Sequence, residues 1–106
     1  MNGGALMSAY FVFNYSIADH EGYRRYLAGS RETLAGHGAE VLVVDRSSES
    51  VEGRPPPVTV IIRFETKQAA MDWYNSSEYQ AVVHHRLDST DGVAVLCDGF
   101  VRPAGT

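Results

Sequence analysis

The segment Tyr10-Phe11-Val12-Phe13-Asn14-Tyr15 decides the fold of this chain. Its aromatic and β-branched residues predict a β-strand. Successive side chains of a strand point to opposite faces of the sheet, so Phe11 and Phe13 lie on one face while Tyr10 and Val12 lie on the other. Both pairs are apolar, which predicts a sheet that needs to be covered on both of its faces.

Three later segments also predict strands, because they are short apolar runs rich in valine and isoleucine: residues 41–44, 58–64 and 93–97. Residues 46–57, which include three consecutive prolines, predict a long loop with a short extension of strand pairing around Val51. Asp91-Gly92 predicts a turn directly before the last strand.

Two helical regions are predicted between these strands. The first begins after Asp19, whose carboxylate can accept hydrogen bonds from the first turn, and ends in the glycine-containing turn at 36–38. The second begins at Thr66 and restarts at Asn75. The inward face of the first helix would carry residues at helical spacing, with a histidine on the same face: Tyr23, Tyr26, Leu27, Ser30, Leu34 and His37.

The chain therefore has the order strand, helix, strand twice in succession. That order is the split βαβ arrangement of the ferredoxin-like class, an α+β fold in which a four-stranded antiparallel sheet carries its helices on one face. A length of 106 residues predicts a single domain. We expect this domain to span residues 8–101, between a loose extension at 1–7 and a C-terminal tail at 102–106.

The helices can cover only one face of the predicted sheet, although the other face is apolar as well. A large exposed apolar patch is unusual on a monomer. A closed two-fold dimer is the commonest way to cover such a surface. We therefore expect a homodimer in which two subunits pack sheet to sheet.

Composition argues against several classes of partner. The net charge is −4, from 9 Lys and Arg against 13 Asp and Glu, whereas nucleic-acid-binding domains usually carry a basic patch. No apolar run approaches the roughly 20 residues of a membrane span, so no membrane partner is expected. The single cysteine, Cys97, cannot form an intramolecular disulfide and favours a reducing, cytoplasmic location.

The segment from Trp73 to Ala81 resembles the signature of the DUF1330 family, in which a short helix is followed by Trp-Tyr-Asn-Ser-Pro-Glu-Tyr-Gln. Ser77 stands where that signature has proline. The opening Ala9-Tyr10-Phe11 and the turn at His37-Gly38 also resemble the family, so the similarity covers nearly the whole domain.

This resemblance implies a dimeric α+β barrel, in agreement with the strand pattern, and it implies no particular reaction. Proteins that share only the fold include cofactor-free monooxygenases, haem-degrading enzymes, lactone isomerases and stress-responsive barrel proteins. A fold by itself does not determine function, so none of these activities carries over.

His37 and Arg54 are the candidate catalytic residues. Histidine ionises near neutral pH, so His37 can serve as a general base or proton relay, or it can simply favour the negative end of a helix. Arg54 precedes three prolines and can bind a carboxylate through two hydrogen bonds, or it can pair with Glu52 or with an acidic residue of a partner subunit. In an enzyme, His37 would move a proton and Arg54 would stabilise the developing negative charge.

A ligand site between sheet and helices would be completed by aromatic residues and one arginine: Tyr10, Tyr26, Trp73, Tyr79 and Arg86. The alternative for the aromatic residues is an ordinary packed core. The alternative for Arg86 is a structural ion pair with an acidic residue.

The motifs predict neither a metal nor a cofactor. Adjacent helical residues such as His84 and His85 point in different directions, and no third ligand stands at a suitable spacing. The sequence also lacks a glycine-rich phosphate loop and a nucleophile elbow.

Two functions remain open from the sequence. The first is a site for a small, partly apolar and potentially anionic molecule, with cofactor-free oxygenation or isomerisation as its enzymatic form. The second is a non-enzymatic structural or interaction dimer whose barrel is filled by side chains. A cleft of roughly several hundred Å³ that holds His37 and Arg54 together would favour the first, whereas solid packing would favour the second.

Overall fold

The computed structural model describes residues 8–101, which form four strands and four helices. The strands are β1 (Ala9–Ile17), β2 (Glu40–Asp45), β3 (Val58–Phe64) and β4 (Thr90–Asp98). The helices are α1 (His20–Ser30), which continues into one 3₁₀ turn (Arg31–Leu34), α2 (Lys67–Tyr74), α3 (Ser77–Gln80) and α4 (Val83–Ser89). The predicted extension at 1–7 and the predicted tail at 102–106 lie outside the described residues.

The strands form one antiparallel sheet in the order β2-β3-β1-β4. β1 therefore lies inside the sheet, with β3 and β4 as its neighbours. This strand order, combined with the chain order of strands and helices, is the ferredoxin-like arrangement, and the predicted α+β fold class is confirmed. Every helix within residues 8–101 is too short or too polar to serve as a membrane span.

β1 divides the two faces of the sheet as its sequence predicts. Phe11, Phe13 and Tyr15 are buried beneath the helices, whereas the residues between them are only partly buried. On the opposite, open face, Val12 pairs with Ile61 of β3 and with Val95 of β4. The centre of the open face is therefore apolar, as the sequence pattern indicates.

Side-chain caps fix the starts of three helices. Asp19 accepts hydrogen bonds from two backbone N–H groups in the first turn of α1, as predicted. Thr66 accepts one from the first turn of α2 at 3.0 Å, also as predicted. Ser76, and not the predicted Asn75, caps α3, because its hydroxyl accepts a hydrogen bond from the N–H of Tyr79 at 3.1 Å.

The first helix is shorter than predicted. α1 ends at Ser30, and the chain turns through Gly36 and Gly38, whose φ angles of 84° and 68° lie in the region that favours glycine. His37 is therefore in a turn and does not share a helical face with the tyrosines of α1. The strand pairing predicted around Val51 is also wrong, because residues 46–57 contain no strand and Val51 is 87% exposed.

Gly92 lies inside β4, so the turn predicted at Asp91-Gly92 is wrong. β4 begins directly after α4, and Gly92 pairs with Tyr15 of β1. A Cβ at position 92 would overlap the backbone oxygen of Asn14 and would lie 2.6 Å from the Cβ of Tyr15. Glycine is therefore needed here for the close approach of Tyr15 and not for a turn.

Replacing Gly92 by alanine should displace Tyr15 and lower the free energy of unfolding by about 1–3 kcal/mol, the usual cost of overpacking. The measurement is urea unfolding of the wild type and the Gly92→Ala variant. The same change at Gly29 in α1 is the control, because there the new Cβ meets only the side chain of Val82, at 2.8 Å.

Alanine also favours a helix by about 1 kcal/mol over glycine, which offsets the contact at position 29. Gly29→Ala should therefore be the milder change. A Gly92→Ala variant as stable as the wild type would contradict the role assigned to Gly92.

Candidate functional site

A cleft of about 380 Å³ opens between the sheet and α1 on the helix-covered face. This volume lies within the range of small-molecule sites, roughly 300–1,000 Å³. The cleft is lined mainly by aromatic and aliphatic side chains. Its size is that expected for the first of the two functions, but neither His37 nor Arg54 lines it.

The sheet forms one wall of the cleft through the inward residues of three strands: Phe13, Tyr15, Val60, Ile62, Val41 and Val44. Val41 and Val44 are three positions apart, although side chains of a regular strand return to the same face every second position. The pairing of β2 with β3 is irregular between Val41 and Val43, and such a bulge inserts one extra residue. The bulge therefore turns both valines towards the cleft.

α1 and the 3₁₀ turn form the opposite wall with residues at helical spacing: Tyr23, Tyr26, Leu27, Ser30 and Leu34. Trp73 of α2 also lines the cleft. Its indole N–H donates a hydrogen bond to the hydroxyl of Thr33 at 2.9 Å. That bond connects α2 to the 3₁₀ turn, so the two elements that border the cleft are held together.

Four tyrosine hydroxyls in this interior form two pairs. The hydroxyl oxygens of Tyr15 and Tyr23 lie 2.7 Å apart, and those of Tyr26 and Tyr79 also lie 2.7 Å apart. Each pair shares a hydrogen bond, which satisfies polar groups that would otherwise be costly to bury. All four side chains are at most 8% exposed.

Burial raises the pKa of Tyr15 and of Tyr26 far above the ordinary value of 10.0. The hydrogen bond with Tyr23 raises the pKa of Tyr15 further, and Tyr79 raises that of Tyr26. Burial also raises the pKa of Tyr79. The hydroxyls of Tyr15, Tyr26 and Tyr79 are therefore neutral at physiological pH and can act there only as hydrogen-bond donors and acceptors.

Arg86 of α4 places a positive charge within this aromatic group. The residue is only 5% exposed, and its guanidinium carbon lies 5.0 Å from the ring centre of Phe13, 5.7 Å from that of Tyr26 and 6.0 Å from that of Tyr15. Guanidinium groups at such distances are attracted by the negative faces of aromatic rings. The aromatic rings thus stabilise the buried positive charge, a role that a carboxylate has for most buried arginines.

The structural ion pair considered for Arg86 is wrong, because none of the ion pairs found among residues 8–101 involves it. Burial lowers the pKa of Arg86, but the electrostatic effect of Tyr79 and Tyr26 and their hydrogen bonds more than reverse this, and the net pKa is raised. The charge is therefore permanent. Its Nε atom is buried without a hydrogen-bond partner.

The predicted site residues divide into three groups. Tyr26 and Trp73 line the cleft, and Tyr79 and Arg86 lie directly behind it. Tyr10 lies on the open face, because it alternates with the buried residues of β1 and pairs there with Cys97. It therefore does not belong to the cleft.

The two candidate catalytic residues do not line the cleft either. His37 is half-buried and lies in the turn after the 3₁₀ helix. There its backbone N–H donates a hydrogen bond to the backbone oxygen of Leu34 at 3.3 Å. Arg54 is exposed in the loop at 46–57, and the ion pair with Glu52 is not found among the described residues. Their catalytic roles stay predictions that the geometry does not support.

Sequence reasoning missed several cleft residues. Phe13 and Tyr15 carry a signal, because their alternation in β1 places them with the buried set, and Tyr23 shares the helical face of Tyr26. Arg31 and Arg46, which also line the cleft, follow a helix and a strand respectively and carry no local pattern.

Metal-ligating side chains do not cluster within residues 8–101. His84 and His85 lie with their ring centres 4.0 Å apart, but no third potential ligand joins them in the described structure.

Residues 8–100 match the sequence profile of a domain of unknown function, DUF1330. The chain belongs to the DUF1330 family. The match confirms the resemblance seen in the segment from Trp73 to Ala81, which here contributes Trp73 to the cleft and Tyr79 to the hydroxyl pair behind it. A search among curated proteins finds no significant match.

Solved structures share the fold of this DUF1330 domain at low identity. A protein of unknown function from Rhodopseudomonas palustris has a TM-score of 0.76 at 14% identity, covering 92% of this chain and 85% of that chain. SnoaB, a cofactor-independent oxygenase from Streptomyces nogalater, has a TM-score of 0.62 at 9% identity, with coverage of 94% and 99%. A dimeric protein of unknown function and ferredoxin-like fold from Bacteroides fragilis has 0.53 at 11%, with coverage of 89% and 97%. These likenesses show the fold alone.

The free energy of unfolding should fall as the pH rises above 10.0, the ordinary tyrosine pKa. Above that pH the unfolded chain releases protons that Tyr15 and Tyr26 retain when folded. The unfolded state then binds fewer protons, so stability decreases by about 1.4 kcal/mol per pH unit for each tyrosine. Urea unfolding at neutral and alkaline pH measures this slope.

The Tyr26→Phe variant should have the smaller slope, because one of the tyrosines with a raised pKa is gone. It also removes the hydrogen bond to Tyr79, so at neutral pH it should cost about 1 kcal/mol of stability. Equal slopes in the variant and the wild type would contradict the assignment.

Proposed function

We propose that this DUF1330 domain binds a small, partly apolar molecule in the cleft between the sheet and α1. The observation that carries the proposal is the cleft itself, because about 380 Å³ of space remains where the sheet and α1 would otherwise pack against each other. Apolar walls with a few polar groups are typical of small-molecule sites. A barrel filled by side chains would not leave this space.

The lining favours binding over acid–base catalysis. It contains no His, Asp, Glu, Cys or Lys among the described residues that border the cleft. Its tyrosines Tyr15 and Tyr26 keep their protons because burial raises their pKa. General acid–base catalysis is most efficient with a group that titrates near the working pH, and the cleft offers none.

Trp73 is the only tryptophan of the chain and lines the cleft, so its fluorescence can report binding directly. We expect phenylbutanol and phenylbutyrate, which share an apolar body, to change this fluorescence with dissociation constants of about 1 mM or below. Val44 lines the cleft and is 61% exposed, so Val44→Phe should narrow it and weaken binding of both probes about tenfold.

The control for this experiment is Val51→Phe, which makes the same change at an exposed position that does not border the cleft. It should leave both affinities unchanged. Equal binding by the two variants, or no binding by the wild type, would contradict the proposed site.

We also propose that the protein is a homodimer formed through the open face of the sheet. The centre of that face is apolar, and its edge strand exposes Val93 and Val95 at 61% and 50%. Exposed patches of this kind usually mark an interface. We also propose a cytoplasmic location, because Cys97 is a free thiol of the kind that a reducing compartment preserves.

Val95→Glu should convert the dimer into a monomer, because it would place a charge in the desolvated centre of the interface. Sedimentation velocity at micromolar concentration measures the outcome. Leu87→Glu is the matched control, since Leu87 is 56% exposed on α4, away from the open face, and it should remain dimeric. A monomeric wild type would refute the interface.

A further inference from the structure

The charged side chains that border the cleft have the same sign. We propose that the ligand of this cleft is an organic anion, an apolar body that carries one carboxylate or a comparable acidic group. The inference rests on the proposed binding function and adds to it the charge that the site selects.

Two arginines lie at the edge of the cleft. The guanidinium carbon of Arg46 is 5.3 Å from the ring centre of Tyr23, and Arg46 lines both the main cleft and a neighbouring one of about 310 Å³. Arg31 lines the main cleft and a third cleft of about 390 Å³. Both side chains are exposed, so they can meet an anion from the solvent.

Neither arginine forms an ion pair with an acidic side chain in the part of the chain that the structure describes. The ion pairs found within residues 8–101 leave out both Arg31 and Arg46. A guanidinium group without a partner can bind a carboxylate through two parallel hydrogen bonds, which are stronger than hydrogen bonds between neutral groups. The edge of the cleft thus offers two guanidinium groups that have no acidic partner among the described residues.

Arg86 adds a third positive charge from inside the protein. The rings of Phe13, Tyr15 and Tyr26 line the cleft, and the Arg86 guanidinium lies 5.0–6.0 Å from their centres on the interior side. A charge in a buried, low-dielectric position is screened little by solvent. The interior of the cleft is therefore favourable for negative charge and unfavourable for positive charge.

Within residues 8–101, no acidic side chain lines the main cleft, and Asp45, which precedes Arg46, accepts a hydrogen bond from the backbone N–H of Ser47 at 2.8 Å. Glu21 is paired with Arg24 at 3.2 Å and with Arg25 at 3.9 Å, and Glu32 borders only the third cleft. The chain as a whole carries a net charge of −4, so an anion would be attracted by this local arrangement and not by the overall charge.

Three probes with the same apolar body test the charge preference: phenylbutyrate, phenylbutanol and phenylbutylamine. With Trp73 fluorescence as the signal, we expect the acid to bind about tenfold more tightly than the alcohol, and the amine to bind most weakly. The preference for the acid should decrease as salt is added, because the arginines at the edge are exposed to screening ions.

The Arg31→Gln/Arg46→Gln double variant should reduce the preference for the acid to about threefold or less while leaving the affinity for the alcohol unchanged. The matched control is Arg25→Gln/Lys67→Gln, which removes the same net charge at two exposed positions outside the cleft. That control should keep the full preference for the acid.

The outcomes separate this inference from the proposed function. If the alcohol binds as tightly as the acid, the cleft is a ligand site without charge selection, and the inference is overturned while the proposed function stands. If none of the three probes binds, the proposed function is overturned and the inference with it. A preference that survives in the Arg31→Gln/Arg46→Gln variant overturns the role of the two arginines.

Discussion

The helix-covered face of the protein is arranged around the inward side chains of β1. Because β1 pairs with β3 on one side and with β4 on the other, its register is fixed by two ladders of hydrogen bonds. This register sets the positions of Phe13, which lies against Arg86, and of Tyr15, which meets Tyr23 through its hydroxyl. A slip of one residue would turn the inward side chains to the open face.

The polar groups of this interior differ in what they contribute to stability. Within each tyrosine pair the two hydroxyls form a hydrogen bond with each other. Each of these hydrogen bonds contributes about 1 kcal/mol to the stability of the fold. For Arg86, three cation–π contacts of about 0.5–2 kcal/mol each oppose a desolvation cost of several kcal/mol. The unpartnered Nε adds a further cost. Because the net pKa of Arg86 is raised, its surroundings favour the charged form, and this charge lies directly behind the cleft.

The sequence predicts the sheet well because each strand carries its signal in its own residues, whereas contacts between distant segments leave no local pattern. The pair Asp91-Gly92 is typical of a turn. The role of Gly92 is instead set by the close approach of the Tyr15 backbone, which lies far away in the sequence. His37 is displaced from the helical face because α1 ends early, at Ser30.

The cleft was harder to predict than the sheet for the same reason. Tyr26 and Trp73 follow from spacing and from the family motif, but Arg31 and Arg46 reach the cleft only through the tertiary arrangement. One wall also rests on β2, an edge strand that pairs with β3 alone and contains a bulge. A strand held by a single ladder is the least restrained part of a sheet. In the proposed ligand site, this wall can therefore adapt its spacing to the width of the ligand while β1 and the tyrosine pairs keep their positions.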